Sequence, residues 1–313
     1  GNTVAYSPDG LNWTGVTTTV FTNVGWSIKW VNNTWYATGI TSFITSTAIA
    51  KSTDGINWNI VTTYGNPFEG SCYGFEYASS VTITKPRMLA VGTGGSTIYG
   101  STNGVSWCGI LNRPFTTSCN NVAWNGNQWV AVGSGGNTIA SSSDGLTWTG
   151  RTGNPVFTSF GAGGAYANGL WVMAGQGGNS IATSSDGISW TGRTGTTIFG
   201  GGSDVAYGQD GSGAGLWVAV GSTGNNIASS TDGINWTGRS TQGAIFTQGY
   251  DVAYGQDGSG ARLWVAVGQG TNSFATSTNG TAWTGTGTSG VTLFGNGGWG
   301  VAYGQDGSGA GLW

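Results

Sequence analysis

Twelve carboxylates, nine cations and three thiols carry the ionisable chemistry of this 313-residue chain apart from its tyrosines, and histidine is absent. Without histidine there is no Ser-His-Asp triad and no His-ligated metal, and three cysteines cannot make a four-thiolate zinc site, so neither cofactor nor metal is expected. Hydrolysis of a glycoside stays chemically open, because it needs only two carboxyl groups of separately tuned acidity at a fixed separation. The distribution of the acids argues against it. Asp9, Asp54, Asp144, Asp186 and Asp232 recur in one motif, and Asp204, Asp210, Asp251, Asp257 and Asp306 recur in DVAYGQDGSG or its variant; only Glu69 and Glu76 break the pattern. Acids copied into every repeat read as structural, since a catalytic set is built from nonequivalent positions.

Glu76 stands where other repeats have Ala123, Ala165, Ala206, Ala253 and Ala302, and Lys29 fills the same slot one repeat earlier. Opposite charges at equivalent places on adjacent strands are expected to pair near a common axis rather than to act as acid and base. Arg151, Arg193 and Arg239 each follow a Trp-Thr step in WTGR, and Arg113 lies near the corresponding place. The planar donor fork of arginine matches carboxylate and sulfate, so an outward arc of these four could bind an acidic sugar or protein; the alternative is an Arg that bonds neighbouring carbonyls or covers a ring. GQDGSG supplies one carboxylate per copy, where a calcium loop presents several oxygens, and reads as a tight strand connection. Cys108 and Cys119 are close enough in sequence for a bridge to be conceivable, and sequons at Asn12, Asn32, Asn235 and Asn279 permit glycosylation.

What must position these residues is a repeat. Ser, any residue, Asp or Asn, Gly, two residues and Trp occur seven times, ending at Trp13, Trp58, Trp107, Trp148, Trp190, Trp236 and Trp283, with Asn103 and Asn279 in place of Asp. The steps between these Trp residues are 45, 49, 41, 42, 46 and 47 residues, the period of propeller blades. Each unit reads as four short strands, as in NVAWN, QWVAVG, NTIASS and LTWTG from Asn121, separated by turn-rich NG, GSGGN and SDG. A Phe follows every motif, at Phe21, Phe68, Phe115, Phe157, Phe199, Phe246 and Phe294, and is expected to plug the space between neighbouring sheets.

The chain begins with strands three and four of a unit and stops after a first strand and its turn. Joining the ends gives a Trp283-to-Trp13 step of 43 residues, inside the observed range. The expected fold is therefore all-β: a single domain over 1–313, a seven-bladed β-propeller of four-stranded antiparallel blades. One blade, 1–15 plus 296–313, is shared by the two ends and has a short or missing second strand, with six further blades between. The start has neither Met nor signal-peptide layout, which suggests a piece of a longer chain and of a larger assembly. Net charge is −3 with no basic run, so nucleic acid is not expected as a partner, and no apolar stretch is long enough to span a membrane.

The Ser-x-Asp-Gly-x-x-Trp units resemble the Asp-box, or bacterial neuraminidase repeat, of β-propellers in the sialidase superfamily and of non-enzymatic relatives such as photosystem assembly propellers. The resemblance covers essentially the whole chain. It implies that each box is a structural hairpin between third and fourth strands, on the face away from active sites. A sialidase would also need three arginines around a carboxylate, a Tyr nucleophile helped by a Glu, and an acid/base Asp. The family's Arg-Ile-Pro element is absent; the nearest string is Lys85-Pro86-Arg87. The expected function is non-catalytic: a structural and recognition module on an extracellular, cell or virion surface, binding glycan or protein. A sialidase-like glycoside hydrolase and an intracellular assembly-factor propeller are the alternatives.

Overall fold

Val, Ile, Thr, Trp and Tyr alternate with small residues over short runs that end at Gly, Asn or Asp, so the backbone finds its partners across strands rather than within helices. The computed structural model describes residues 2–17, 20–40, 49–61, 72–77, 88–151, 156–193, 198–241, 245–286 and 297–313. Among these every regular element is a β-strand, and no helix is long and apolar enough to cross a membrane.

One unit shows the pattern. Strands Ser118–Trp124, Trp129–Ser134, Ile139–Ser142 and Thr149–Gly150 form a four-stranded antiparallel sheet in chain order. The last strand is shorter than LTWTG suggested, because the Trp148 indole turns back to donate to the Gly145 carbonyl at 3.2 Å and so belongs to the hairpin. The same order holds from Gly25–Val31 to Asn59–Ile60 and from Cys72–Tyr77 to Cys108–Gly109. The units starting at Phe157–Ala167, Phe199–Gln209 and Gln248–Gln256 repeat it again, joined by single cross-pairs at Gln176↔Gly201 and Ser222↔Gln248. Two shorter pairs, Ala5–Tyr6 with Thr14–Gly15 and Gly304–Gln305 with Gly311–Leu312, lie near the ends. Ser7 and Trp313 exchange both backbone hydrogen bonds, at 3.1 and 2.9 Å, so these end segments share one antiparallel rung.

First strands of successive units touch in series, and the apolar core is divided into slabs between sheets. In one slab Val130, Val132 and Ile139 face Phe157, Trp171 and Met173 of the next unit. Phe21, Phe115, Phe157, Phe199 and Phe246 are all buried in this way; Phe68 and Phe294 lie outside the described residues. Each ring sits against a glycine of a second strand: Gly39, Gly133, Gly175, Gly221 and Gly268 in turn. A Cβ on Gly175 would lie 2.6 Å from the Phe160 carbonyl oxygen and 2.8 Å from the Phe157 ring. Phe and Gly are thus one device, a ring filling the room that a missing side chain leaves.

A Trp near the start of five second strands, at Trp35, Trp129, Trp171, Trp217 and Trp264, is almost wholly buried, and Met88 takes its place in the sixth. The indoles of Trp264 and Trp313 donate to the carbonyls of Gln209 and Gln256 in the preceding unit at 2.9 and 2.8 Å, and the Trp35 indole donates to the Gln305 carbonyl of the C-terminal pair at 2.8 Å. This gives the repeated Gln-Asp-Gly-Ser-Gly turn its use: Gln presents a carbonyl to the next unit. Asp210 caps the turn, its Oδ1 accepting from the Ser212 N–H at 2.8 Å, the Ser212 hydroxyl at 2.7 Å and the Ala214 N–H at 3.0 Å.

The conceivable Cys108 to Cys119 bridge is not formed. Cys108 is exposed on a fourth strand, whereas Cys119 is buried on the first strand of the following sheet, so the strand geometry sends the two thiols apart.

Candidate functional site

The box carboxylates are occupied by their own hairpins. Asp232 Oδ1 accepts from the Ser230 hydroxyl at 2.9 Å and from the N–H groups of Ile234 and Asn235 at 2.8 and 2.7 Å; its Oδ2 accepts from the Asn235 side chain at 2.8 Å. Gly233, at φ 73°, makes the left-handed turn, and the Trp236 indole closes it by donating to the Gly233 carbonyl at 3.0 Å. Asp9, Asp54, Asp144 and Asp186 sit in equivalent turns. Asn103 and Asn279 do the same work, since one amide oxygen suffices for the two N–H groups. The indoles of Trp13, Trp58, Trp148 and Trp283 bond the turn glycine as Trp236 does. Trp107 and Trp190 have no partner for theirs among the described residues.

These bonds favour the ionised carboxylate. At Asp186 the N–H groups of Ser189 and Ile188 hold the carboxyl at about 2, against 3.8 ordinarily. At Asp9 slight burial acts upward, but bonds from Asn12, Leu11 and Ser7 outweigh it and again leave about 2. A folded pKa below the unfolded one contributes stability that is complete above the unfolded value and is lost as pH falls through the folded one. The thermal midpoint is therefore expected to fall steadily from pH about 4 to about 2. Asp186→Asn, which keeps the Oδ1 acceptor but cannot titrate, should flatten part of that fall. A midpoint flat over the window, followed by circular dichroism, contradicts this assignment.

The arginines are held along their own sheets. Arg151 donates Nε and Nη2 to the Ser141 hydroxyl, with Nε at 2.8 Å; Arg193 grips Thr183 in the same way, and Arg239 donates Nε to Ser229 at 2.7 Å. Each therefore bonds the third strand of its own unit, ten residues back, rather than a neighbouring carbonyl. Arg113 is exposed. The four lie on different units and are not brought together around one ligand position.

Lys29 and Glu76 do meet, with Nζ to Oε2 at 3.2 Å. The Lys29 side chain is 45% exposed. Glu76 raises its pKa most; desolvation opposes this, and Asp204 and Asp251 add to the rise. Those two acids stand two residues before the Ala206 and Ala253 slots on adjacent first strands. Burial lifts the Asp204 carboxyl well above the ordinary range, and the charge of Asp251 together with a hydrogen bond between the two lifts it further. Burial and the neighbouring charge both favour the neutral form of Asp204. Asp251 is also raised, chiefly by burial, while its Oδ1 accepts from Val252 N–H at 2.7 Å and its Oδ2 from Val301 N–H at 2.9 Å in the next inner segment.

The pairing register slips by one residue in every described first strand, at Trp26, Tyr73, Asn120, Ala162, Ser203 and Tyr250. A bulge turns the extra side chain out of the ladder. Trp299 holds the equivalent place beside the C-terminal pair. Four of these residues form a contiguous arc: Tyr250 stacks on Trp299 at 4.1 Å, Trp299 meets Trp26 edge-on at 5.0 Å, and Trp26 meets Tyr73 at 5.2 Å. All four are half-buried. The Trp26 indole N–H has no acceptor among the described residues, and the Tyr250 hydroxyl donates to Gln269 Oε1 at 2.7 Å. First and third strands run in the same direction, so the start of the first, with the arc, lies at the opposite end of the sheets from the boxes that follow the third.

Neither the arc nor the acid pair was singled out by the sequence. The signal existed: an aromatic residue stands three places before the Ala slot in four inner segments. Among the described residues no group of three or more Cys, Asp or Glu side chains is placed to hold a metal ion.

No protein-family model matches the chain, and no curated protein matches its sequence. Among solved structures it is similar to YCF48 from Cyanidioschyzon merolae, with a TM-score of 0.42 and 16% identity, covering 72% of this chain and 88% of that one. It is also similar to the computationally designed Ika8 protein, with a TM-score of 0.56 and 8% identity, covering 93% of this chain and 83% of that one. The second likeness is one of fold alone. An all-β chain built as successive four-stranded antiparallel sheets, each packed face to face on the next, fits a β-propeller.

Proposed function

We propose that the chain is a seven-bladed Asp-box β-propeller, closed by a blade that its two ends share, and that it is a non-catalytic recognition module binding a glycan over the mouth of its central channel. The mutual bonds of Ser7 and Trp313, the Trp35 indole on the Gln305 carbonyl and the contact of Trp26 with Trp299 support closure. The aromatic arc carries the functional reading. A pyranose has an apolar C–H face and a rim of hydroxyls, and half-exposed indole and phenol faces beside an unpaired indole N–H suit both. A non-catalytic role agrees with box carboxylates spent on turns and with an acid pair tied to backbone N–H groups. An extracellular, cell or virion surface is where such a module meets glycans.

The test is a glycan array probed with the intact chain and with Trp299→Ala. Loss of a central aromatic anchor is expected to weaken binding by about 2 kcal/mol or more, roughly thirty-fold. Absence of any bound sugar, equal binding by the variant, or sugar released from the array would each overturn the reading, the last in favour of a hydrolase.

A further inference from the structure

Eight large apolar side chains are exposed among the described residues, and six of them hold one place in the repeat: Leu11, Ile56, Val105, Leu146, Ile188 and Ile234 each follow the glycine of a box. They are 40–50% exposed. The hairpin does not ask for them. What the turn uses at this position is the backbone N–H, which donates to the box Asp or Asn. In the seventh box Thr281 gives the same bond to Asn279 Oδ1 at 2.9 Å, so a polar residue serves the turn as well. Exposed apolar side chains scattered singly need no reason, but six at equivalent places on one face make a surface.

Every box ends a third strand and every Gln-Asp-Gly-Ser-Gly turn ends a first strand, so both project from the same end of the sheets, away from the aromatic arc. The turns stand between the boxes. A Cβ on Gly211, Gly258 or Gly307 would lie 3.3, 3.7 or 3.8 Å from the Cβ of Asn279, Asp9 or Asp54, each in the box of another unit. This end therefore carries eight carboxylates, five in boxes and three in turns, and none of them is buried. Asp257 shows how closely they are set: the Ser259 hydroxyl and turn N–H groups hold its carboxyl below the ordinary range, while the charge of Asp9 acts against them. Among the described residues the cations at this end are Arg262, beside a turn, and Lys51, one residue before a box; Lys85 and Arg87 lie outside the described residues.

Apolar tips set among fixed negative charges favour one class of partner. An anionic membrane or a nucleic acid would be repelled, and a second copy laid face to face would bring like charges together. A basic surface with apolar sockets meets both features, since long-range attraction steers it and burial of the tips holds it. We infer that the box end is a docking surface for a cationic, amphipathic protein, whose lysines or arginines meet the box and turn carboxylates and whose sockets take the six apolar tips. This inference does not depend on glycan binding, which belongs to the opposite end.

The test adds a synthetic amphipathic helix of leucine and lysine to the whole chain and follows binding by calorimetry at rising salt. Saturable binding that weakens with salt is expected. The same peptide with Glu for Lys, or with Ser for Leu, lacks one of the two features and should bind about tenfold more weakly or worse. Leu146→Thr, Ile188→Thr and Ile234→Thr together copy the seventh box and should weaken binding by about tenfold or more. Asp210→Asn, Asp257→Asn and Asp306→Asn together keep the Oδ1 acceptors and should flatten the salt dependence; this variant decides if the first does not fold. Unchanged binding by the folded variants, equal binding of the three peptides, or no binding would overturn the proposal. So would dimerisation of the chain that the Thr variant abolishes, which would give the surface to a second copy, or binding to phosphatidylcholine vesicles lost in the same variant, which would give it to lipid.

Discussion

Trp264→Ala is expected to remove about 3–5 kcal/mol of stability, the range for truncating a large buried aromatic side chain. Its indole is fully buried between two sheets, tilted against Tyr254 at a centroid distance of 4.9 Å. Truncation opens a cavity that flanking strands cannot fill, because each is fixed by its own ladder on both sides. It also strips the Gln209 carbonyl of the donor at 2.9 Å that ties one unit to the next. Trp264→Phe separates the two effects: most of the apolar volume remains and the bond goes, at a cost of about 1–3 kcal/mol for the orphaned acceptor and the partial cavity. Trp129 supplies the control. It is equally buried, but its indole N–H has no partner among the described residues, so Trp129→Phe should cost less. Chemical denaturation of the three variants decides; equal losses for the two Phe variants would show that the inter-unit bond contributes nothing.

Legibility in the sequence followed the range of the forces involved. The box was readable because all its partners lie within six residues: Ser230, Asp232, Gly233 and Trp236 satisfy one another before any distant strand arrives. Strand runs were readable for the same local reason, as each is bounded by turn residues. What eluded the sequence is set across sheets. Asp204 and Asp210 stand in one copied string, yet Asp210 caps its own turn while Asp204 is buried against Asp251 of the next unit. Repetition gave them one meaning because nothing local distinguishes them. The bulges that carry Trp26, Tyr73 and Tyr250 were hidden similarly: one extra residue in a Gly-rich strand leaves the apolar alternation almost unchanged. Arg151 and Arg193 illustrate a third case. Their spacing along the chain was plain, but the hydroxyl each grips lies ten residues upstream, on the strand that hairpins back beside it.

Gly175→Ala reverses an ordinary expectation, and so tests the pairing of ring and glycine that recurs between units. At a site that alanine can adopt, replacing glycine usually stabilises by about 0.4–1 kcal/mol, through the unfolded chain. Gly175 has no left-handed φ to forbid alanine. The added carbon would nevertheless lie 2.6 Å from the Phe160 carbonyl oxygen and 2.8 Å from two Phe157 ring atoms. The carbonyl cannot retreat without breaking the Gly161↔Gly175 rung, and the ring is enclosed by Val132 and Ile139 of the preceding sheet. The variant is therefore expected to lose about 1–3 kcal/mol, the cost of overpacking. Phe157→Leu, destabilising alone, vacates part of the contested space, so the double variant should lose less than the sum by at least about 0.5 kcal/mol. Thermal and urea unfolding of the cycle would measure this coupling. A stabilised Gly175→Ala, or strict additivity with Phe157→Leu, would mean that the glycine is there for the backbone alone and that the ring merely lies nearby.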